Sequence, residues 1–146
     1  MRARDVAEAL VDRLTERLPH IDVSPAAPGG PSDLAVWVGR IDAQLEPAAF
    51  AGPSRPRNES GRVTLVFSAG RAGWEAREAW TRVLDAVDEV ELLLARDPTL
   101  GLARVVWSHL AEVSVDAQVL DGAEGWVAVA QVTVTFMARL GGDVRE

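Results

Sequence analysis

Two stretches decide how this chain folds: LARVVWSHLAEVSVDAQVL, residues 102–120, and WVAVAQVTVTFMARL, residues 126–140. In each, apolar and polar side chains alternate for roughly 15 residues, whereas an average strand has about 5 to 6. Asp121-Gly122-Ala123-Glu124-Gly125 between them has the composition of a hairpin loop. Period two places Val105, Trp107, Ala111, Val113, Val115, Ala117 and Val119 on one face of the first strand, opposite Ser108, Glu112, Ser114, Asp116 and Gln118. In the second, Trp126, Ala128, Ala130, Val132, Val134, Phe136, Ala138 and Leu140 form the apolar face, opposite Gln131, Thr133, Thr135 and Arg139. A hairpin this long exceeds what one helix can cover.

The segment before it reads as a helix over 74–95, with Ala76, Trp80, Val83, Leu84, Val87, Val90 and Leu94 on one stripe and Arg77, Asp85, Asp88 and Glu89 elsewhere. Pro98 ends it. Trp80, Leu84 and Val87 are expected to pack on Val113, Val115, Val132 and Val134, because only those faces are continuously apolar in both elements. Further back, Arg62 to Ser68 alternates as a strand, and Gly70-Arg71-Ala72-Gly73 turns it into the helix. Glu46 to Gly61 holds Pro47, Pro53, Pro56 and Gly52, so it reads as a long flexible loop. Leu34 to Leu45 is a strand with Ala35, Trp37, Gly39, Ile41, Ala43 and Leu45 on one face and Val36 and Val38 opposing. Ser24 to Ser32 is a Pro/Gly connector, and residues 2–18 are an amphipathic helix built on Val6, Leu10, Leu14 and Leu18. The fold class is α+β: a single domain over 1–146, ordered α-β-β-α-β-β, with a four-stranded, mainly antiparallel sheet, both helices on one face and a long C-terminal hairpin.

Composition narrows the chemistry. At 146 residues the chain can bury a core without staples, and it has no cysteine, which removes disulfides, thiolate nucleophiles and cysteine-ligated zinc. A net charge of -7 argues against sequence-independent binding to duplex DNA. The N-terminus runs straight into an amphipathic pattern with no apolar run of membrane length, so a soluble, unexported protein is expected. His20 and His109 are the only imidazoles; His109, near Trp107, reads as a core or edge histidine. The Gly70–Gly73 turn matches no phosphate-loop pattern, and Asp85, Asp88, Glu89 and Glu91 read as a solvated helix face. Of five tryptophans, Trp80, Trp107 and Trp126 fall on core stripes, Trp74 at a helix start, and Trp37 is undecided. No catalytic residue, metal ligand or cofactor site is assigned, and the chain is read as not an enzyme.

Two surfaces invite partners. Val106, Leu110, Leu120, Val127, Val129 and Met137 fall on nominally outward positions at the ends of the hairpin, a strip expected to form a subunit interface. Arg55, Arg57 and Arg62 concentrate positive charge in and beside the long loop, suiting it to dock on acidic protein.

The order of elements, the helix exit Arg96-Asp97-Pro98-Thr99-Leu100-Gly101, and a hairpin ending in Val132-Thr133-Val134-Thr135-Phe136-Met137-Ala138-Arg139 resemble the tail terminator (tail completion) proteins of long-tailed bacteriophages. The likeness covers nearly the whole chain in architecture. It implies an α/β subunit that assembles into a hexameric ring, caps the tail tube, stops its polymerisation and meets the head-completion or connector proteins. DNA would pass through the lumen without specific binding, in a virion made in the bacterial cytoplasm. Gly101-Leu102 stands where the family usually has Gly-Gly. The alternatives are another neck, head-closure or tail-tube subunit, a small ligand-binding or enzymatic α/β domain, and a cellular adaptor or toxin-neutralising protein.

Overall fold

The computed structural model describes residues 2–18, 22–24, 34–46, 57–119 and 125–140. Helix α1 (Arg2–Arg17) is followed by strands β1 (Asp22–Ser24), β2 (Ala35–Glu46) and β3 (Arg57–Ala72), helix α2 (Ala76–Arg96), and strands β4 (Val105–Val119) and β5 (Gly125–Leu140). They form one sheet in the order β1-β2-β3-β5-β4. β2, β3, β5 and β4 pair antiparallel throughout, which is the four-stranded sheet the sequence predicts. The addition is β1, three residues running parallel to the start of β2, with Asp22 opposite Ala35 and Ser24 opposite Trp37. So short a strand carries no periodic signal.

Both helices lie on one face, α1 over β1, β2 and β3, and α2 over β3, β5 and β4. Their buried stripes meet Val63, Leu65 and Phe67 of β3 and Val132, Val134 and Phe136 of β5, all fully buried. α2 buries Ala79, Val83, Ala86, Val87, Val90, Leu93 and Leu94. The expected stripe was rotated: Val87 is inside, but Trp80 and Leu84 remain 41% and 39% exposed. Ala79 and Ala86 take the sheet-facing positions because small side chains let a helix approach a sheet of β-branched residues, where an indole would not fit.

β3 is longer than its sequence suggests. Residues 57–61 belong to the sheet, not to the loop expected over 46–61, and residues 47–56 of that loop lie outside the described residues. The inward alternation of Phe67, Leu65 and Val63 continues through Gly61 and Glu59, two residues that hide it. Gly61 is required there: a Cβ would run into the Asp42 carbonyl and lie 2.8 Å from the Phe136 ring. Glu59 is fully buried, and its carboxylate accepts the Arg2 N–H at 2.9 Å and the Ala3 N–H at 2.6 Å. A strand side chain thus caps the first turn of α1, satisfying donors that have no partner within the helix.

Three β-bulges correct the face assignments. A bulge between Val38 and Arg40 keeps Val36 and Val38 on the helix side and then Ile41, Ala43 and Leu45, while Trp37 turns outward. In β4, irregularities between Val105 and Trp107 and between Leu110 and Glu112 put Ser108 and Leu110 on the helix side, opposite Phe136 and Val134. Trp107 and His109 consequently lie on the outer face, contrary to the inward positions expected of them. Ser108 is buried and satisfied, its hydroxyl donating to the Pro98 carbonyl at 2.7 Å.

The helix exit is a structural corner. Asp97 accepts the Leu100 N–H and pairs with Arg13 of α1 at 3.1 Å. Leu100 is buried with φ 55°, and Gly101 follows at φ 71°. A leucine in the left-handed region costs roughly 1–2 kcal/mol, which its burial offsets.

Candidate assembly surface

The outer face of the sheet, away from both helices, divides into two zones. At the end nearest β1, Trp37 and Val66 sit beside Val127 and Val129, all half-buried, and form an apolar patch. Further along, Arg40, Asp42, Arg62, Thr64, Thr133, Thr135 and His109 make a polar field. Arg40 pairs with Asp42 at 2.9 Å, and His109 Nε2 lies 3.0 Å from the Thr135 hydroxyl on the neighbouring strand. Trp107 stacks on His109 with ring centroids 4.9 Å apart. The polar field holds two open hollows. One of about 670 Å³ is lined by Asp42, Gln44, Ser60, Arg62, Trp107 and Thr135; another of about 490 Å³ is lined by Gly39, Arg40, Thr64, Gln131 and Thr133. Among the described residues no group of His, Cys, Asp and Glu could hold a metal ion.

Of the strip expected as an interface, Val127, Val129 and Met137 do lie on the outer face, half-buried, and Val106 is exposed at a bulge. Leu110 leaves the strip: the bulge after it turns it to the helix side, where it packs against the core. Leu120 lies outside the described residues. The strip is also split, since Val127 and Val129 adjoin Trp37 and Val66 while Met137 adjoins Trp107. Trp37 and Trp107 are the outer-face residues that the alternation concealed, because a bulge after the one and before the other shifts the phase by one, whereas Val66 lies outward as the unbroken alternation of β3 implies.

Arg62 is an exposed strand residue of the polar field, between Asp42 and Thr135, and not part of a loop. Arg57 opens β3 opposite Leu140, and Arg55 lies outside the described residues.

The sheet edges complete the surface. Among the described residues β4 pairs only with β5, and β2 is covered by β1 only over Ala35–Trp37. Exposed apolar side chains line the helix-side face along both open edges: Ile41 and Leu45 on β2, and Val113 and Val119, the last 59% exposed, on β4. Trp80 and Leu84 extend the β4 patch. They project from the flank of α2 away from α1, which meets α2 through Arg17 and Glu89 on the other side. In this arrangement the apolar area that a core would normally absorb is displayed at the rims.

No helix among the described residues is long and apolar enough to cross a membrane. No family model matches the chain, and no curated protein matches it in sequence. Among solved structures, a chain from the virion of the native gene transfer agent (GTA) particle is similar over 93% of this chain and 97% of its own, with 17% identity and a TM-score of 0.47.

Proposed function

We propose that this chain is a structural subunit of a phage-like virion and, within that class, the tail terminator: a ring that caps the finished tail tube, ends its polymerisation and receives the head-completion proteins. The observation that carries the reading is the apolar rim of the sheet. The helix side of β5 is fully buried from Ala128 to Ala138, whereas Ile41 and Leu45 on β2 and Val113 and Val119 on β4 stay exposed. Apolar side chains left bare on edge strands are an aggregation hazard for a monomer and a ready contact for an assembly. The helix exit and hairpin shared with tail terminators point the same way, and an acidic subunit suits a lumen through which DNA must slide.

Deleting the gene from its parent element tests the role. Electron microscopy is expected to show tails of uncontrolled length beside unjoined heads. Normal particles from the deletion strain would remove the terminator role, and the protein's absence from purified particles would remove the virion role as well.

A further inference from the structure

We propose that the two open sheet edges bind each other between copies of this chain, β4 of one subunit against residues 40–45 of β2 in the next, in one register. The inference deepens the ring reading above and rests on it.

The topology permits such a joint. β2, β3, β5 and β4 alternate in direction, so β4 and β2 point opposite ways. A second copy placed beside β4 in the same orientation therefore offers β2 as the next antiparallel strand, with its helices on the same side. This is a head-to-tail contact of the kind that closes rings. Since β1 caps β2 over Ala35–Trp37, the part of β2 from residue 38 onward has no further strand partner among the described residues.

Face and charge then select the register. Ile41 and Ala43 face the helix side, as do Val113, Val115 and Ala117, and a slip of one residue would turn apolar side chains to the polar face. Only even slips remain. Placing Arg40 opposite Asp116 of the neighbour sets Asp42 against Ser114 and Gln44 against Glu112 on the outer face, and Ile41 against Val115 on the inner. A slip of two in one direction would oppose Asp42 to Asp116, and in the other Asp42 to Glu112, and like charges directly opposite are destabilising. The selected register alone among these three joins opposite charges without facing like ones.

The same register has the geometry of a closed barrel. Within a subunit one row across the sheet runs from Arg40 through Thr64 and Thr133 to Glu112, which meets Gln44 of the next copy. The row has moved four residues along β2 in crossing four strands. One residue of shear per strand is the ratio of an eight-stranded barrel with shear 8, whose strands tilt by about 36°.

Disulfide trapping reads the register directly, because the chain contains no cysteine. Ile41→Cys combined with Val115→Cys cannot close within one subunit, where two intervening strands alone separate the positions by roughly 14 Å and the offset along the strands adds to it. Mild oxidation of the assembled protein is expected to give covalent multimers from this pair. Pairs two residues out of register, Ile41→Cys with Val113→Cys or with Ala117→Cys, are expected to give far less. In parallel, Arg40→Glu and Asp116→Arg should each lower the oligomer mass in native mass spectrometry, and the double swap should restore it. Rings that form without the Ile41–Val115 bond, or that crosslink as well through a shifted pair, overturn the register and leave the virion role standing. A protein that stays monomeric and is absent from particles overturns both.

Discussion

The two flanks of the sheet are built for opposite ends. Under α1, the buried Glu59 carboxylate ties the helix to β3, and Leu10 and Leu14 are fully covered. Under α2 the cover stops short, so that Trp80, Leu84, Val113 and Val119 stay exposed along β4. The α1 flank is closed at its centre and leaves only Ile41 and Leu45 exposed at the edge of β2; the α2 flank leaves helix and strand side chains alike for a neighbour. Substitutions should therefore separate stability from assembly according to the flank they touch.

The largest expected effect is in the shared centre. Val87→Asp places an unpaired charge against the buried face of the sheet and should cost several kcal/mol, enough to unfold a typical domain. Circular dichroism of a cooperatively folded Val87→Asp protein with near-wild-type melting would contradict the packing described.

Next is the closed flank. Glu59→Ala removes the acceptor for two backbone N–H groups at the start of α1 and should lower unfolding free energy by about 3 kcal/mol, with hydrogen exchange rising first in that turn. Glu59→Gln keeps one carbonyl acceptor and should lose less. Equal stability of the wild type and Glu59→Ala in urea titration would show that the cap is idle.

A smaller loss is expected at the corner between the helices. Gly101→Ala forces a side chain into φ 71° with its Cβ 2.8 Å from an Arg13 guanidinium nitrogen, a strain of roughly 1–2 kcal/mol. Because Arg13 can swing aside, the midpoint should fall modestly while the denaturant slope stays unchanged. A midpoint at or above wild type would contradict the strain.

On the exposed side the comparison reverses. Val129→Arg, in the outer apolar patch, should leave melting within about 0.5 kcal/mol of wild type and lower the mass of the assembly. Unchanged mass in native spectrometry would make that patch ordinary surface. The least effect on the fold is expected from Arg55→Glu with Arg57→Glu. In complemented particles, rings should form but tails should fail to terminate or join heads if these arginines meet acidic protein; normal virions would break that proposal.

The hairpin was legible because its strands are long enough for period two to show through noise, and α2 because Pro98 and an apolar stripe mark it. The site was less legible. Each bulge inserts one residue and inverts every assignment beyond it until the next, which is why the alternation alone puts Leu110 outward and Trp107 and His109 inward. Glu59 falls in the expected loop because a charged residue at an inward position looks like a break in a strand, and its helix partner lies 56 residues away in sequence.

By itself the amino-acid sequence determined the element types, the antiparallel hairpin, the absence of cysteine chemistry and the acidic surface, since these follow from local period, composition and charge. Only the tertiary structure decided which face each β4 residue takes, that a buried glutamate caps α1, and which two edges stay open. Those depend on register between strands distant in the chain and on where each helix stops, and pairing across the sheet, not any local pattern, sets both.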